Sequence, residues 1–288
     1  MRIGMERIAL INDLSGFGKC SLTAAIPVIS VMGMQACPLP TAVLSAQTGF
    51  AEYFCDDYTD RMDEFTKQWK NMGVSFDGIY SGYLAGAGQV EKVLLFLDQF
   101  KRQDTLYLAD PVMGDNGKTI RIFNDGLLRE MKELTRQANV ITPNLTEACL
   151  LADEDYESLT SYSRREDYLE RIRDMGERLI ARAREKQQVI VTGILRQQDD
   201  RQMIGNLAIS EKETSYVETL YTGKSFSGTG DLFSSVVCGC MVKKMTVKEA
   251  MEKAVDFLQN AIEEASKEHI PTNHGVHFEH YLSRLLLP

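Results

Sequence analysis

The chain has little histidine, no cysteines at the paired spacing of a metal site and no long apolar run, and each shortage argues against a class of protein. No run approaches the roughly twenty apolar residues that a membrane-spanning helix needs. The six cysteines are scattered without the spacing of a zinc site, so we interpret them as reduced packing residues. The formal net charge of −9 argues against nucleic-acid or membrane partners. With no signal-peptide pattern at the first residues, these features predict a cytoplasmic enzyme.

All four histidines occur near the end of the sequence, at His269, His274, His277 and His280. Because no histidine occurs upstream, the sequence does not favour a Ser-His-Asp or Cys-His centre built from the body of the chain. The three-residue spacing among these histidines is compatible with a metal site. Exposed histidines on a surface segment are the more ordinary interpretation.

Complete nucleotide-binding fingerprints are missing as well. Gly223-Lys224-Ser225 ends like a phosphate-binding loop, but Glu218 occupies the position of its first glycine. The pairs Gly16-x-Gly18, Gly86-x-Gly88 and Gly228-x-Gly230 lack the third glycine of a dinucleotide fingerprint. The sequence therefore favours neither a Walker-type NTPase nor a Rossmann dehydrogenase.

What the chain does have is an alternation of short apolar strands with helical stretches. The pattern predicts strands over 8–12, 78–81, 105–109, 139–142 and 189–192, and a hairpin over 203–210 and 216–221. It predicts helices over 21–32, 89–101 and 164–185, another from Asn144, and two after Gly230, whereas the polar stretch 154–167 is expected to be a surface loop. This order is typical of a mostly parallel sheet covered on both faces, here as a single domain over 1–288. Ligands of such folds bind at the carboxyl ends of the strands.

The most informative segment is Gly228-Thr229-Gly230-Asp231, which precedes an apolar helix predicted over 232–242. A helix start offers unpaired N–H groups and the positive end of the helix dipole, so it suits an anion. A carboxylate beside such a site can accept or orient a proton while the loop holds the charge of a transferring phosphoryl group. The alternative is that Asp231 only stabilises the first turn of its helix.

Two further segments carry carboxylates at strand ends. Asn144 and Glu147 have the spacing of a capping box, and Glu147 can instead hold water on a Mg²⁺ ion. Asp110 and Asp115 flank a tight turn after a predicted strand. Since Asp110, Glu147 and Asp231 all occupy similar places, a shared cation is a reasonable hypothesis.

In these segments the chain resembles the pyridoxal kinases and the closely similar hydroxymethylpyrimidine kinases of the ribokinase-like group. The matching segments follow in the expected order: residues 12–18, 41–49 (TAVLSAQTG), 81–83 (SGY), 110–115 (DPVMGD), 142–147 (TPNLTE), 191–193 (VTG) and 228–233 (GTGDLF). The resemblance implies a ribokinase-like three-layer sandwich with helices on both faces of the sheet. It also implies a magnesium- and ATP-dependent kinase, commonly homodimeric and in several cases helped by K⁺.

The resemblance implies a role for each matched position. Asp231 is the expected catalytic base on the primary hydroxyl of the acceptor, and the backbone of Gly228, Thr229 and Gly230 is the expected anion hole. Asp110 and Glu147 are the expected Mg²⁺ residues. The remaining positions are expected to contact ATP (Asp115, Thr142, Thr192, Lys224 and Phe226) or to line the ring pocket of the acceptor (Ser15, Thr48 and Tyr83). From its residue type alone, Phe226 is interpreted first as a packing residue.

The expected reaction is phosphorylation of the 5′-hydroxymethyl group of pyridoxal, pyridoxamine or pyridoxine. Ser81-Gly82-Tyr83 and the DPVMGD form favour this acceptor. Asn12-Asp13 and Ala46-Gln47-Thr48 are more similar to the pyrimidine kinases. Hydroxymethylpyrimidine kinase and a catalytically silent B6-binding protein are the alternatives.

Overall fold

The computed structural model describes residues 4–287, so residues 1–3 and 288 of the predicted single domain lie outside the described part. The strands are β1 (Arg7–Ser15), β2 (Gln35–Leu44), β3 (Cys55–Asp57), β4 (Gly78–Ser81), β5 (Leu106–Ala109), β6 (Gly114–Asp115), β7 (Lys118–Thr119), β8 (Val140–Ile141), β9 (Gln188–Gln198), β10 (Arg201–Ile209) and β11 (Thr214–Leu220). The helices are α1 (Ser21–Val31), α2 (Thr59–Asn71), α3 (Ala87–Phe100), α4 (Asp125–Thr135), α5 (Leu145–Ala152), α6 (Tyr156–Thr160), α7 (Tyr168–Ala181), α8 (Thr229–Val242) and α9 (Val247–Lys267). Two 3-10 segments, Thr272–His274 and Phe278–Leu285, follow α9.

Nine strands form one sheet in the order β11-β10-β9-β8-β5-β4-β1-β2-β3. The pairs from β9 through β2 are parallel, and antiparallel pairs occur only towards the two edges, at β9–β10–β11 and β2–β3. Strands β6 and β7 form a separate ribbon. The prediction of a mostly parallel sheet is therefore confirmed.

Alternate side chains of the central strands enter two different cores. In β1, Ala9 and Ile11 pack with apolar residues of α2–α5 and α7, whereas Ile8 and Leu10 pack with α1, α8 and α9. All four of these side chains are fully buried. Burial on both faces requires helices on both faces, which is why the chain forms three layers. The predicted three-layer architecture is confirmed.

Several boundaries differ from the sequence prediction, and β9, expected over 189–192, extends to Gln198. The helix expected over 232–242 begins earlier, at Thr229, so Asp231 lies within its first turn. The charged helix expected over 164–185 is shorter, Tyr168–Ala181. The stretch 154–167 is not entirely a loop, because Asp155 caps the short helix α6 by accepting a hydrogen bond from the backbone N–H of Ser158.

Strand β2 was not predicted, because its sequence contains Pro38 and Pro40, which ordinarily argue against a strand. Both prolines are paired with β1, opposite Leu10 and Asn12. On its other side, β2 pairs with β3 only from Ala42 to Leu44. The prolines thus lie where β2 is the edge of the sheet, a position in which a missing N–H costs no ladder bond.

Within residues 4–287, no helix combines the length and the apolar content needed to cross a membrane.

Candidate active site

A cavity of about 700 Å³ lies at the carboxyl ends of the parallel strands and beside the start of α8. Cavities of this size accommodate small ligands and cofactors. All but one of the residues predicted for the site line it: Ser15, Thr48, Tyr83, Asp110, Asp115, Thr142, Glu147, Thr192, Phe226, Gly228, Thr229, Gly230 and Asp231. The exception is Lys224, which precedes the lining residue Ser225. The structure therefore brings together segments that are more than 200 residues apart in the sequence.

The start of α8 forms one wall of the cavity. Gly228 is the N-cap residue, with a φ of 81°. A side chain at this position would overlap the backbone oxygen of Lys19, so glycine is required both for the left-handed conformation and for the close approach. The backbone N–H groups that follow belong to the unpaired first turn of the helix, which makes this wall suitable for an anion.

Asp231 lies in the first turn of α8, and hydrogen-bond donors surround its carboxylate. The side-chain amide of Asn12 donates to its Oδ1 at 3.0 Å, and the hydroxyl of Tyr80 lies 3.5 Å from the same atom. Burial raises the pKa of Asp231 to about 6, the charge of Asp13 adds to the rise, and hydrogen bonds from the Ser21 backbone and from Asn12 oppose it. A carboxylate with a pKa near 6 is ionised at neutral pH and can still accept a proton.

Asp13 is a second carboxylate of the cavity, and the sequence analysis assigned it no role. It is 5 % exposed, and its two oxygens accept hydrogen bonds from Ser15 at 2.7 Å and from Ser21 at 2.6 Å. Burial raises its pKa, and the two serine hydroxyls counteract the shift. The sequence signal for a role of Asp13 was its position at the end of a predicted buried strand. The contact with Ser21 was not predictable, because Ser21 lies on the next element, α1.

Asp110 follows β5 and is connected through Ser234 of α8 to Thr142, which follows the end of β8. Ser234 donates to Oδ2 of Asp110 at 3.1 Å, and the hydroxyl groups of Ser234 and Thr142 are 2.9 Å apart. Burial raises the pKa of Asp110 to about 8, and the nearby charge of Asp231 contributes to the rise. The hydrogen bond from Ser234 therefore does not offset the free-energy cost of ionising this buried carboxylate.

Glu147 forms the predicted capping box with Asn144. Its Oε2 accepts from the backbone N–H of Asn144 at 2.9 Å, and the side chain of Asn144 accepts from the backbone N–H of Glu147 at 3.1 Å. The Oε1 atom accepts a further bond from the backbone N–H of Met113 at 3.0 Å. Burial and the charge of Asp110 nevertheless raise the pKa of Glu147 above its ordinary value. The capping interpretation is confirmed, and it does not use all of the acceptor capacity of the carboxylate.

The chemistry of this donor set fits a hard divalent cation. Asp110 and Glu147 offer carboxylate oxygens, which are the ligands that Mg²⁺ prefers. Both are buried and both have raised pKa values, so a cation at the cavity would relieve an electrostatic cost that the folded chain bears.

The two ends of the cavity differ in chemistry. Its polar end lies near β1, β2 and β4 and is lined by Asp13, Ser15, Gln47, Thr48 and Tyr83. Its apolar end lies near β10, β11 and α9 and includes Ile204, Val255, Leu258 and Ile262. Because β10 and β2 are on opposite sides of the sheet order, these ends are separated by the central strands, from whose ends Asp110 and Thr142 project. The apolar end was missed by the sequence analysis because its residues come from three elements without a motif.

Phe226 packs in the core, as the packing interpretation predicts, and its contact with ATP stays a prediction. It is 3 % exposed and packs in the core with α8 and α9, and it also lines the cavity. Thr229 donates from its hydroxyl to the backbone oxygen of Phe226 at 2.9 Å. The loop before α8 is therefore held by packing and by its own hydrogen bond.

Comparisons with known proteins agree with this geometry. The family model described as phosphomethylpyrimidine kinase matches residues 19–277. The pyridoxal kinase PdxY of Deinococcus radiodurans is 24% identical over 261 residues, which are 88% of this chain and 85% of that protein.

Solved structures are similar over nearly the whole chain. A candidate phosphomethylpyrimidine kinase from Bacteroides thetaiotaomicron, crystallised with pyridoxal, is 34% identical with a TM-score of 0.90, covering 99% of this chain and 97% of that one. The pyridoxal kinase of Lactobacillus plantarum is 25% identical with a TM-score of 0.85, covering 98% and 97%. The extent of the family match, together with the shared ribokinase-like fold, shows that the chain belongs to the phosphomethylpyrimidine kinase family.

Proposed function

We propose that this chain is an ATP-dependent kinase that phosphorylates the 5′-hydroxymethyl group of a B6 vitamer, giving the 5′-phosphate and ADP. The observation that carries the proposal is the position of Asp231, in the first turn of a helix whose N-terminus faces the cavity. A base and an anion-binding wall thus occur together, as phosphoryl transfer to an alcohol requires.

In the proposed reaction, the acceptor hydroxyl attacks the terminal phosphorus of ATP. A new oxygen–phosphorus bond forms, the bond to the ADP oxygen breaks, and Asp231 takes the hydroxyl proton. The backbone N–H groups of Thr229 and Gly230, in the first turn of α8, would stabilise the negative charge of the transferring group. Since phosphoryl transfer depends mainly on alignment and charge stabilisation, a base with a pKa near 6 is strong enough.

The apolar end of the cavity suits the nucleotide base, and the central strands suit its phosphates. We assign contacts with ATP to the predicted residues Asp115, Thr142, Thr192, Lys224 and Phe226. Four of them line the cavity, which supports the assignment. Lys224 lies outside the lining and stays a prediction that depends on movement of its loop.

The polar end suits a substituted pyridine. Ser15, Thr48 and Tyr83 are the residues that we assign to the acceptor ring, and Asp13 adds a carboxylate beside them. Hydroxyl and carboxylate groups can bond the ring nitrogen and the ring hydroxyl, while the tyrosine supplies an aromatic surface.

Asp110 and Glu147 are the residues that we assign to Mg²⁺. When bound, the ion would neutralise phosphate charge. The protein's own contribution is to present two buried carboxylates. Among the hydrogen bonds and ion pairs found within residues 4–287, none joins either carboxylate to a lysine or an arginine. We also retain K⁺ activation as a prediction, which replacement of K⁺ by tetramethylammonium in the assay would test.

The alternative acceptor is hydroxymethylpyrimidine. The pyridoxal kinases among the relatives and the pyridoxal in the Bacteroides thetaiotaomicron structure favour the B6 vitamers over this alternative. A catalytically silent B6-binding protein is less well supported, because the start of α8 and the three carboxylates are all present.

The decisive experiment is a phosphorylation panel of pyridoxal, pyridoxamine, pyridoxine and hydroxymethylpyrimidine at equal concentration with ATP and Mg²⁺. ADP release and the phosphorylated product are both measured, so that ATP hydrolysis is not mistaken for transfer. The highest kcat/KM is expected for a B6 vitamer. A preference for hydroxymethylpyrimidine would contradict the acceptor assignment, and tight vitamer binding without turnover would support the silent protein.

A homodimer, a cytoplasmic location and a single domain spanning residues 1–288 complete the proposal. Light scattering on the purified chain tests the first, fractionation of cells the second, and limited proteolysis the third.

A further inference from the structure

A cluster of metal-binding side chains lies outside the cavity, where the end of α9 meets the last segment of the chain. We propose that Glu264, His277 and His280 form a binding site for a transition-metal dication of the zinc class. Each offers a ligand atom, and these atoms lie within 4.8 Å of one another. None of the three residues lines the cavity, so the site is separate from the proposed magnesium site.

Two of the three proposed ligands already lie in contact with each other. The Nδ1 atom of His280 is 3.0 Å and 3.2 Å from the two carboxylate oxygens of Glu264. The rings of His277 and His280 have their centroids 5.6 Å apart. In a tetrahedral zinc site with bonds of about 2.0–2.1 Å, neighbouring ligand atoms are about 3.3 Å apart. The separation between His280 and Glu264 already matches that spacing, and the ligand atoms of the whole cluster lie within 4.8 Å of one another.

A second carboxylate completes the charge balance. Glu268 has its Oε2 atom 3.5 Å from Nδ1 of His277. Two carboxylates beside two neutral imidazoles match the charge of a dication. Carboxylates beside metal-binding histidines also orient the imidazole rings, so Glu268 strengthens the site whether or not it bonds the ion.

The backbone that carries the two histidines is held in place by apolar packing. Val276, Phe278 and Leu285 are buried at 0 %, 2 % and 0 % exposure, in the core shared by α8 and α9. His277 and His280 extend from this anchored segment, while Glu264 extends from the last turns of a long helix. Ligand binding therefore does not have to order a loose tail, and that lowers its entropic cost.

The donor atoms select against the ion that the kinase reaction uses. Imidazole suits Zn²⁺, Cu²⁺ and Ni²⁺, whereas Mg²⁺ prefers oxygen ligands and keeps its water. Millimolar Mg²⁺ in a kinase assay should therefore leave this cluster free.

An ion at this cluster would stabilise a segment that supports the cavity. Thr272 accepts a hydrogen bond from the backbone N–H of Ser227 at 3.0 Å, and Asn273 accepts one from Nε2 of Gln47 at 3.0 Å. Ser227 immediately precedes Gly228. Metal binding should thus raise thermal stability by joining this segment more firmly to α9.

The test is a titration of the full chain with Co²⁺, which reports tetrahedral coordination by its visible absorption, followed by displacement with Zn²⁺. One saturating equivalent that survives excess Mg²⁺ is expected. His280→Gln and Glu264→Gln should weaken binding by about tenfold or more. His269→Asn and Cys55→Ser are matched controls, since they remove an exposed imidazole and an exposed thiol outside the cluster, and they should leave the titration unchanged.

The side chain of His280 is 62% exposed, so its replacement is not expected to unfold the chain, and equal melting temperatures without metal would verify this. Binding that is unchanged in both His280→Gln and Glu264→Gln would overturn the proposal, as would the absence of a saturable tetrahedral signal in the parent chain. Kinase activity with Mg²⁺ and ATP should be the same in His280→Gln as in the parent, so the outcome does not depend on the proposed reaction.

Discussion

The side-chain amide of Asn12 donates a hydrogen bond to Oδ1 of Asp231 at 3.0 Å, across 219 positions of sequence. Its orientation is fixed, because its oxygen accepts from the backbone N–H groups of Asp13 at 3.0 Å and Tyr83 at 2.9 Å. With the oxygen occupied by two donors, the NH₂ group must face the carboxylate. Asp231 is therefore positioned by a neutral donor, which holds it without cancelling its charge.

Replacing Asp231 with Asn should nearly abolish turnover. The substitution keeps the size of the side chain but removes the proton acceptor, and loss of a well-placed general base costs about 10²–10⁴ in rate. Steady-state kinetics with pyridoxal should show the loss in kcat, while calorimetric titration should show nearly unchanged ATP binding. A variant that retains the parent kcat would remove Asp231 from the mechanism.

Asn12→Ala should shift the acidic limb of the pH profile to higher pH. The hydrogen bond from Asn12 stabilises the ionised form of Asp231 and so lowers a pKa that burial raises to about 6. Without it the pKa rises further, and because the ionised form is the active one, kcat/KM is lost at a higher pH than in the parent. The difference from the parent should shrink at alkaline pH. Equal acidic limbs would show that Asn12 does not act on the base.

Gly82→Ala should also shift the acidic limb of the pH profile to higher pH, by a smaller amount than Asn12→Ala. A Cβ atom on Gly82 would overlap the amide group of Asn12, so the amide has to move away from Asp231. Because both substitutions disrupt one contact, the double variant should be no slower than the worse single variant. Gly88→Ala is the matched control, since a Cβ atom there meets nothing within 4 Å. Additive losses would mean that Gly82 acts by another route.

Two substitutions of Glu147 should separate its two roles. Glu147→Gln keeps the capping box, in which Gln is an accepted partner, and removes the charge. It should raise the Mg²⁺ concentration needed for half-maximal rate with only a modest loss of melting temperature, because the single amide oxygen of Gln can replace one of the two acceptors that serve Asn144 and Met113. Glu147→Leu also removes the acceptor for the backbone N–H groups of Asn144 and Met113, and should cost about 1–3 kcal/mol more in stability. If Glu147→Gln melted early but kept the parent Mg²⁺ response, capping would be the whole role of this residue.

The mostly parallel sheet and the location of the site were predictable from local patterns. Apolar strands that end in polar residues identify one edge of a parallel sheet, and that edge is where Asp110, Thr142 and Thr192 line the cavity. Two helices that the sequence analysis missed also had a local signal. The spacing of Met62, Phe65 and Trp69 in α2 is helical, and Asn124 caps α4.

Other features depend on contacts that no local pattern reveals. The role of Asn12 requires its distance to Asp231, and the apolar end of the cavity requires that β10, β11 and α9 meet. The prolines of β2 are tolerated only because that part of the strand lies at the edge of the sheet. In each case the sequence gives the residue types, but their structural roles depend on tertiary contacts between distant segments.

Asp13→Asn should move the acidic limb in the direction opposite to Asn12→Ala. After burial, the negative charge of Asp13 is the next cause that raises the pKa of Asp231. Asn at this position can still accept a hydrogen bond from Ser15 or Ser21 but carries no charge. The pKa of Asp231 should therefore fall, so that Asp231 stays ionised, and kcat/KM is retained, to lower pH than in the parent.

The matched control for this charge change is Asp98→Asn. Asp98 is exposed on α3 and outside the cavity, so the variant has the same net charge as Asp13→Asn while its effect on Asp231 is screened by solvent. Profiles measured with pyridoxal at constant ionic strength should show a shift for Asp13→Asn alone. Equal shifts in both variants would mean that net charge acts on the base. No shift in either would mean that Asp13 serves the acceptor ring only, a role that KM for pyridoxal would then report.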